Sequence, residues 1–170
     1  MKPESRELIQ KLDKNLADIV KVYRHILNVV RKEREILIAA DLEELNLNNR
    51  SKEAMLIKAK ALEGDRLELV NELAELEGLQ SPVRLRQLAQ HFGGESGERL
   101  LKLNSVLKLL LQRVKDFNLQ NEELVGRALD SITGGMDSIR DSVGEQPNYK
   151  KGGELDESKP GSGRLVSREA

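Results

Sequence analysis

Catalytic chemistry has little to work with in this chain. Its 170 residues include no cysteine and no tryptophan, and only two histidines, two tyrosines, two phenylalanines and four prolines. Without cysteine there is no disulfide framework, thiolate nucleophile or thiolate metal ligand. His25 and His91 are far apart, and three residues before them stand Val22 and Leu88, so the Glu-x-x-His pairs of helical di-metal sites are missing. Each histidine is expected at the surface. No serine sits in a G-x-S-x-G elbow beside a placed base. Gly93, Gly94 and Gly97 follow no strand and precede no Gly-Lys-Ser/Thr, so they read as a connector and not as a phosphate cradle. These residues point to no enzyme, no metal and no cofactor.

Two further absences narrow the class. No Lys/Arg cluster with interleaved aromatics offers a footprint for nucleic acid. No apolar run approaches the ~20 residues that span a bilayer, and residues 1–6 carry no apolar signal region. The expectation is a cytoplasmic protein without stable membrane insertion. Charged residues make up 34% of the chain at a net charge of −1, the mixture of solvated helix faces.

What is present is leucine at helical spacing. Neither glycine nor proline interrupts the chain between Pro3 and Gly64. A first stripe runs Leu8, Leu12, Leu16, Ile19, Tyr23, Ile26, Val30 and Leu37, with Glu33 in one apolar slot. A second runs Leu42, Leu45, Leu56, Ala59, Leu62, Leu69, Leu73 and Leu76. Leu42 follows Leu37 by five residues, about 140° around a helix, which argues for a break near 39–41 and a helical hairpin. Asp41 followed by Glu44 has the form of a capping box. In such a hairpin Glu33 faces the region of Asn49 and Lys52. That is either a register-setting polar layer or, the preferred reading, long side chains that flank the seam and reach water.

Gly78 ends the second helix, and Ser81 with Pro82 opens a short third. The last long segment places Leu100, Leu103, Leu107, Leu110, Val114, Phe117, Asn121, Leu124, Ala128 and Ile132 on one face, with Leu101, Leu109 and Leu119 off it. So wide a stripe implies more than one partner. Asn121 on that face is either bonded across the bundle or an anchor within a docking surface. Gly134 and Gly135 interrupt the pattern, although Met136, Ile139 and Val143 keep its spacing.

The expected fold is all-α: an antiparallel helical hairpin, a short helix and a third long helix in an elongated bundle or coiled coil. The helices are placed at about 4–39, 42–77, 82–91 and 97–133, with a marginal helix at 135–143. Together, residues 1–143 form the helical domain, and the Gly-, Pro- and Ser-rich residues 144–170 form a disordered tail.

Several short motifs complete the pattern. Asn49-Arg50-Ser51-Lys52-Glu53-Ala54-Met55-Leu56 lies in the second helix, Asn118-Leu119-Gln120-Asn121 precedes Leu124-Val125, and Asn148-Tyr149-Lys150-Lys151-Gly152-Gly153 lies in the tail. Their order and spacing resemble the FlgN-type flagellar export chaperones of bacterial type III secretion, and the resemblance spans nearly the whole chain. Gly134 and Gly135 depart from it where such chaperones present a client surface. The resemblance implies a cytoplasmic chaperone that binds C-terminal helical segments of hook-associated (hook-filament junction) proteins. Such a chaperone prevents premature assembly and aids delivery to the export apparatus. On this reading Leu124, Leu129, Ile132, Met136 and Ile139 contact the client, and Tyr149 is a second contact. The alternative is a homo-oligomeric coiled-coil scaffold that self-associates through the same stripes.

Overall fold

A computed structural model describes residues 2–80, 82–144, 148–149 and 155–156. The fold is all-α. Helix α1 spans Pro3–Ala39, α2 Leu42–Glu77, α3 Leu85–Phe92 and α4 Gly94–Gly144. Two residues of β1, Asn148–Tyr149, pair antiparallel with β2, Leu155–Asp156. The rest of the expected tail lies outside the described residues. The chain divides into two compact units, Met1–Glu122 and Glu123–Ala170.

The hairpin turn forms where the phase slips. Ala40 takes the left-handed conformation (φ 54°), and the N–H groups of Ala40 and Asp41 bond back to Leu37 and Ile36 carbonyls at 3.3 Å, closing α1 in a Schellman motif. Asp41 then caps α2, its Oδ1 accepting from the Glu44 N–H at 2.9 Å. The reciprocal half of the box is absent, because Glu44 instead pairs with Lys32 at 2.6 Å. Gly78 (φ 67°) ends α2 in the same way, with the Leu79 N–H on the Ala74 carbonyl at 2.8 Å.

Cross-helix bonds fix the directions. Asn48 donates to the Val29 carbonyl, Asn15 to that of Leu62 and Ser5 to the Glu77 carboxylate, so α1 and α2 run antiparallel. Arg99 pairs with Asp13 at 2.8 Å and Asn121 donates to the Val30 carbonyl at 3.0 Å, so α4 up to residue 122 runs parallel to α1. Three side-chain clusters fill the spaces between. Leu12, Leu16, Leu73, Leu88 and Leu100 join all four helices at one end. Ile19, Val20 and Leu27 pack on Leu107 and Leu110 in the middle, and Val22, Ile26 and Val30 on Ala59 beyond.

The α2 seam differs from the leucine stripe read in the sequence. Its inward positions are Leu45, Asn48, Lys52, Met55, Ala59, Leu62, Arg66, Leu69, Leu73 and Leu76, an unbroken alternation of three and four. Leu42 and Leu56 are 74% and 48% exposed. Three polar residues hold seam positions, and following leucines alone slips off that seam.

Two connectors also differ from expectation. Ser81 lies outside the described residues, and α3 begins at Leu85, not Pro82, because the Gln87 side chain caps the Arg84 N–H at 2.7 Å. Helix α4 starts at Gly94, three residues before the expected start at about 97, so Gly97, read with the connector's glycines, lies within its first turn. A Cβ on Gly97 would stand 2.3 Å from the Ala89 carbonyl oxygen, so only glycine lets this backbone approach α3. Gly97→Ala is therefore expected to cost about 1–3 kcal/mol in urea unfolding, the scale of an overpacked contact.

Glu77 ties one end of the bundle together. It accepts from the Ser5 hydroxyl and lies 3.0 Å from His91 Nε2, while Lys2 Nζ donates to the neighbouring Leu76 carbonyl at 2.7 Å. The Ser5 hydrogen bond, followed by that to His91, lowers the Glu77 pKa below its ordinary value of 4.5. A lowered carboxylate adds stability that is present above its unfolded value and lost as pH falls through the folded one. Glu77→Gln should thus lower the thermal midpoint at pH 7 by about 2–4 °C, with the difference closing at acidic pH.

Candidate partner-binding surface

Helix α4 changes character along its length. Through Asn121 its inward face is buried: Leu100, Leu107, Leu110 and Asn121 are closed to solvent, and Leu103, Val114 and Phe117 are half-buried. Asn121 ends that face in a polar layer. Its Nδ2 donates to the Val30 carbonyl at 3.0 Å and to Glu33 Oε2 at 3.1 Å, and Lys52 Nζ reaches both Glu33 oxygens at 2.8 and 2.9 Å.

That arrangement corrects the preferred reading of Glu33. The carboxylate does not snorkel; it is buried and shared between α2 and α4. Lys52 faces it as expected, but Asn48 and not Asn49 turns inward, one residue and about 100° away. Asn121 is the amide bonded across the bundle, with its Oδ1 buried and unpaired among the described residues. A buried pair crossed by an amide admits one register far better than its neighbours.

Beyond residue 122 the apolar spacing continues without burial. Val125, Leu129, Ile132, Met136 and Ile139 follow at intervals of four, three, four and three, so they form one row along the helix. All five are exposed, from 41% at Val125 to 61% at Ile132 and Met136. The row is about 21 Å long at 1.5 Å per residue. Leu124 is half-buried beside it. Residues 122–142 hold five carboxylates and two guanidiniums, so the row lies in a negative setting. Two of those charge pairs, Arg127 with Glu123 and Arg140 with Asp137, are long at 3.5 Å and exposed, and add little.

Helix α4 runs on through Gly134 and Gly135, taking in both the expected helix at 97–133 and the marginal one at 135–143. A Cβ at either position would meet nothing within 4 Å, so no packing demands glycine there. Each still costs about 1 kcal/mol relative to alanine. The Thr133 and Ser142 hydroxyls bond back to the Leu129 and Ile139 carbonyls on either side. Four of the sequence-predicted contacts, Leu129, Ile132, Met136 and Ile139, thus share one exposed row, with Leu124 at its margin. Val125 was missed, although its interval of four before Leu129 marks it. Tyr149 stands in β1 opposite Leu155, and its side chain lies outside what is described.

A family model described as FlgN protein matches residues 1–157. The chain belongs to the FlgN family of flagellar export chaperones. Searches of curated proteins and of solved structures returned no match. The FlgN match covers all four helices, the exposed row and Tyr149 alike. FlgN proteins are a chaperone family, not an enzyme family. No helix among the described residues is long and apolar enough to cross a membrane.

Proposed function

We propose that this chain acts in the cytoplasm on hook-associated proteins, holding their C-terminal helical segments before export and delivering them to the flagellar export apparatus. The client helix lays its apolar face along Leu124, Leu129, Ile132, Met136 and Ile139, with Val125 extending the row and Tyr149 providing a second contact. The observation that carries this reading is the row itself. Five large apolar side chains at heptad spacing are exposed on a helix whose earlier turns bury the same face.

The mode is helix against helix, read by anchors at intervals of three and four. Met136 at its centre is unbranched and adapts to different side chains. Gly134 and Gly135 weaken the helix under the anchors, so part of the binding energy goes into holding it, which lowers affinity and eases release. A chaperone that must hand over its client gains from that.

Light scattering on the full chain tests the reading. A monomer that forms a complex of fixed stoichiometry with a peptide from a hook-associated C-terminus supports it. A stable oligomer indifferent to that peptide would assign the row to self-association instead.

A further inference from the structure

A second surface lies wholly within the unit of residues 1–122. It is a groove of about 730 Å³ between α2 and α4, closed at one side by the segment leading into α3. Its floor includes Leu16, Val70, Leu85 and Leu107, all buried, and Leu67 and Leu111 stand exposed on its rims.

Its charge is unlike the rest of the molecule. The chain as a whole balances 28 cations against 29 acids. The groove carries Arg66, Arg84, Arg86 and Lys108 against the single acid Glu63. Glu63 is already taken by Arg66 at 2.7 Å. Arg84, Arg86 and Lys108 form no ion pair among the described residues. They come from α4 and from both sides of the start of α3, so three positive groups surround one apolar floor.

The shape selects a form of occupant. Along α2 the lining runs from Glu63 to Asn71, about 12 Å or two helical turns. The α4 wall advances through Asn104, Lys108 and Leu111, again at helical intervals. Two helical walls with an apolar floor accept a third helix whose leucine-like face points down. The side chains left above it would meet the three cations.

We infer that this groove docks about two turns of an acidic amphipathic helix from a partner protein, with apolar side chains on Leu67 and Leu111 and carboxylates at Arg84, Arg86 and Lys108. The surface is separate in residues and opposite in charge from the row at 125–139. It would therefore select a different partner helix.

The test uses the full chain and a labelled 15-residue helical peptide with Leu along one face and Glu elsewhere, against a twin with Lys for every Glu. Fluorescence anisotropy should show binding of the Glu peptide alone, weakened by added salt. Arg84→Glu with Arg86→Glu, and separately Lys108→Glu, should each weaken it at least about fivefold. Ile132→Asp with Met136→Asp should leave it unchanged, which separates this groove from the proposed client row. Lys108→Glu lies on a different helix from the arginine pair and decides the matter should that pair disturb the fold. Equal binding of the two peptides, no binding of the Glu peptide, or indifference to Lys108→Glu would overturn the inference.

Discussion

Replacing Ile132 and Met136 together by aspartate is expected to weaken binding of a hook-associated C-terminal peptide at least about a hundredfold. Complete burial of such a side chain contributes about 1.5–3 kcal/mol, so covering the 61% left exposed on each gives about 2–4 kcal/mol for the pair, against about 2.8 kcal/mol for a factor of one hundred. The new carboxylates add a desolvation cost to any residual docking. Both residues are 61% exposed in the free chain, so the variant should keep its far-UV helicity and its urea midpoint. Isothermal titration beside circular dichroism separates the outcomes. Loss of binding with the fold intact supports a docking row, whereas unfolding would place these side chains in a core.

The second large effect concerns the polar layer. Glu33→Ala leaves the Lys52 ammonium without its carboxylate and removes one of the two acceptors of Asn121. Removing one partner of a buried pair costs about 3–5 kcal/mol. The Lys52 side chain keeps 26% of its exposure and can turn toward water, so about 2–3 kcal/mol is expected here. Replacing Glu33, Lys52 and Asn121 together by leucine should be close to neutral, since no charge or amide is then left unpaired. Urea unfolding distinguishes the two. A Glu33→Ala midpoint equal to that of the parent chain would mean the layer contributes nothing.

That layer also marks where the sequence was hard to read. The hairpin, its turn at Ala40 and Asp41, and the buried face of α4 follow from spacing and capping, because apolar residues at intervals of three and four leave few alternatives. Such reading misplaced part of the α2 seam, counting the exposed Leu42 and Leu56 in it and passing over the inward Asn48 and Arg66. Burial of a polar group depends on a partner 19 residues away for Lys52 and 88 away for Asn121, and periodicity within one helix carries no such information.

Glycine misled in two ways for different reasons. Gly97 looked like loop but serves a close approach to Ala89, which only the packed α3 makes visible. Gly134 and Gly135 divided the expected helix at 97–133 from a marginal one at 135–143, yet their cost does not outweigh propagation of a helix already formed on both sides. The row at 125–139 was legible because its anchors keep heptad order through those glycines. That it is exposed was not legible, since exposure depends on which faces other elements cover.

Hydrogen exchange on the full chain, alone and with a hook-associated C-terminal peptide, reports most directly on whether that row is the client surface. Amides from Val125 through Ile139 should exchange quickly in the free chain, where the glycines weaken the helix and the row is exposed among the described residues. They should slow on adding the peptide, with residues 3–77 little changed. A complex that forms without slowing them, or that protects the α1–α2 hairpin instead, would contradict a client surface on α4.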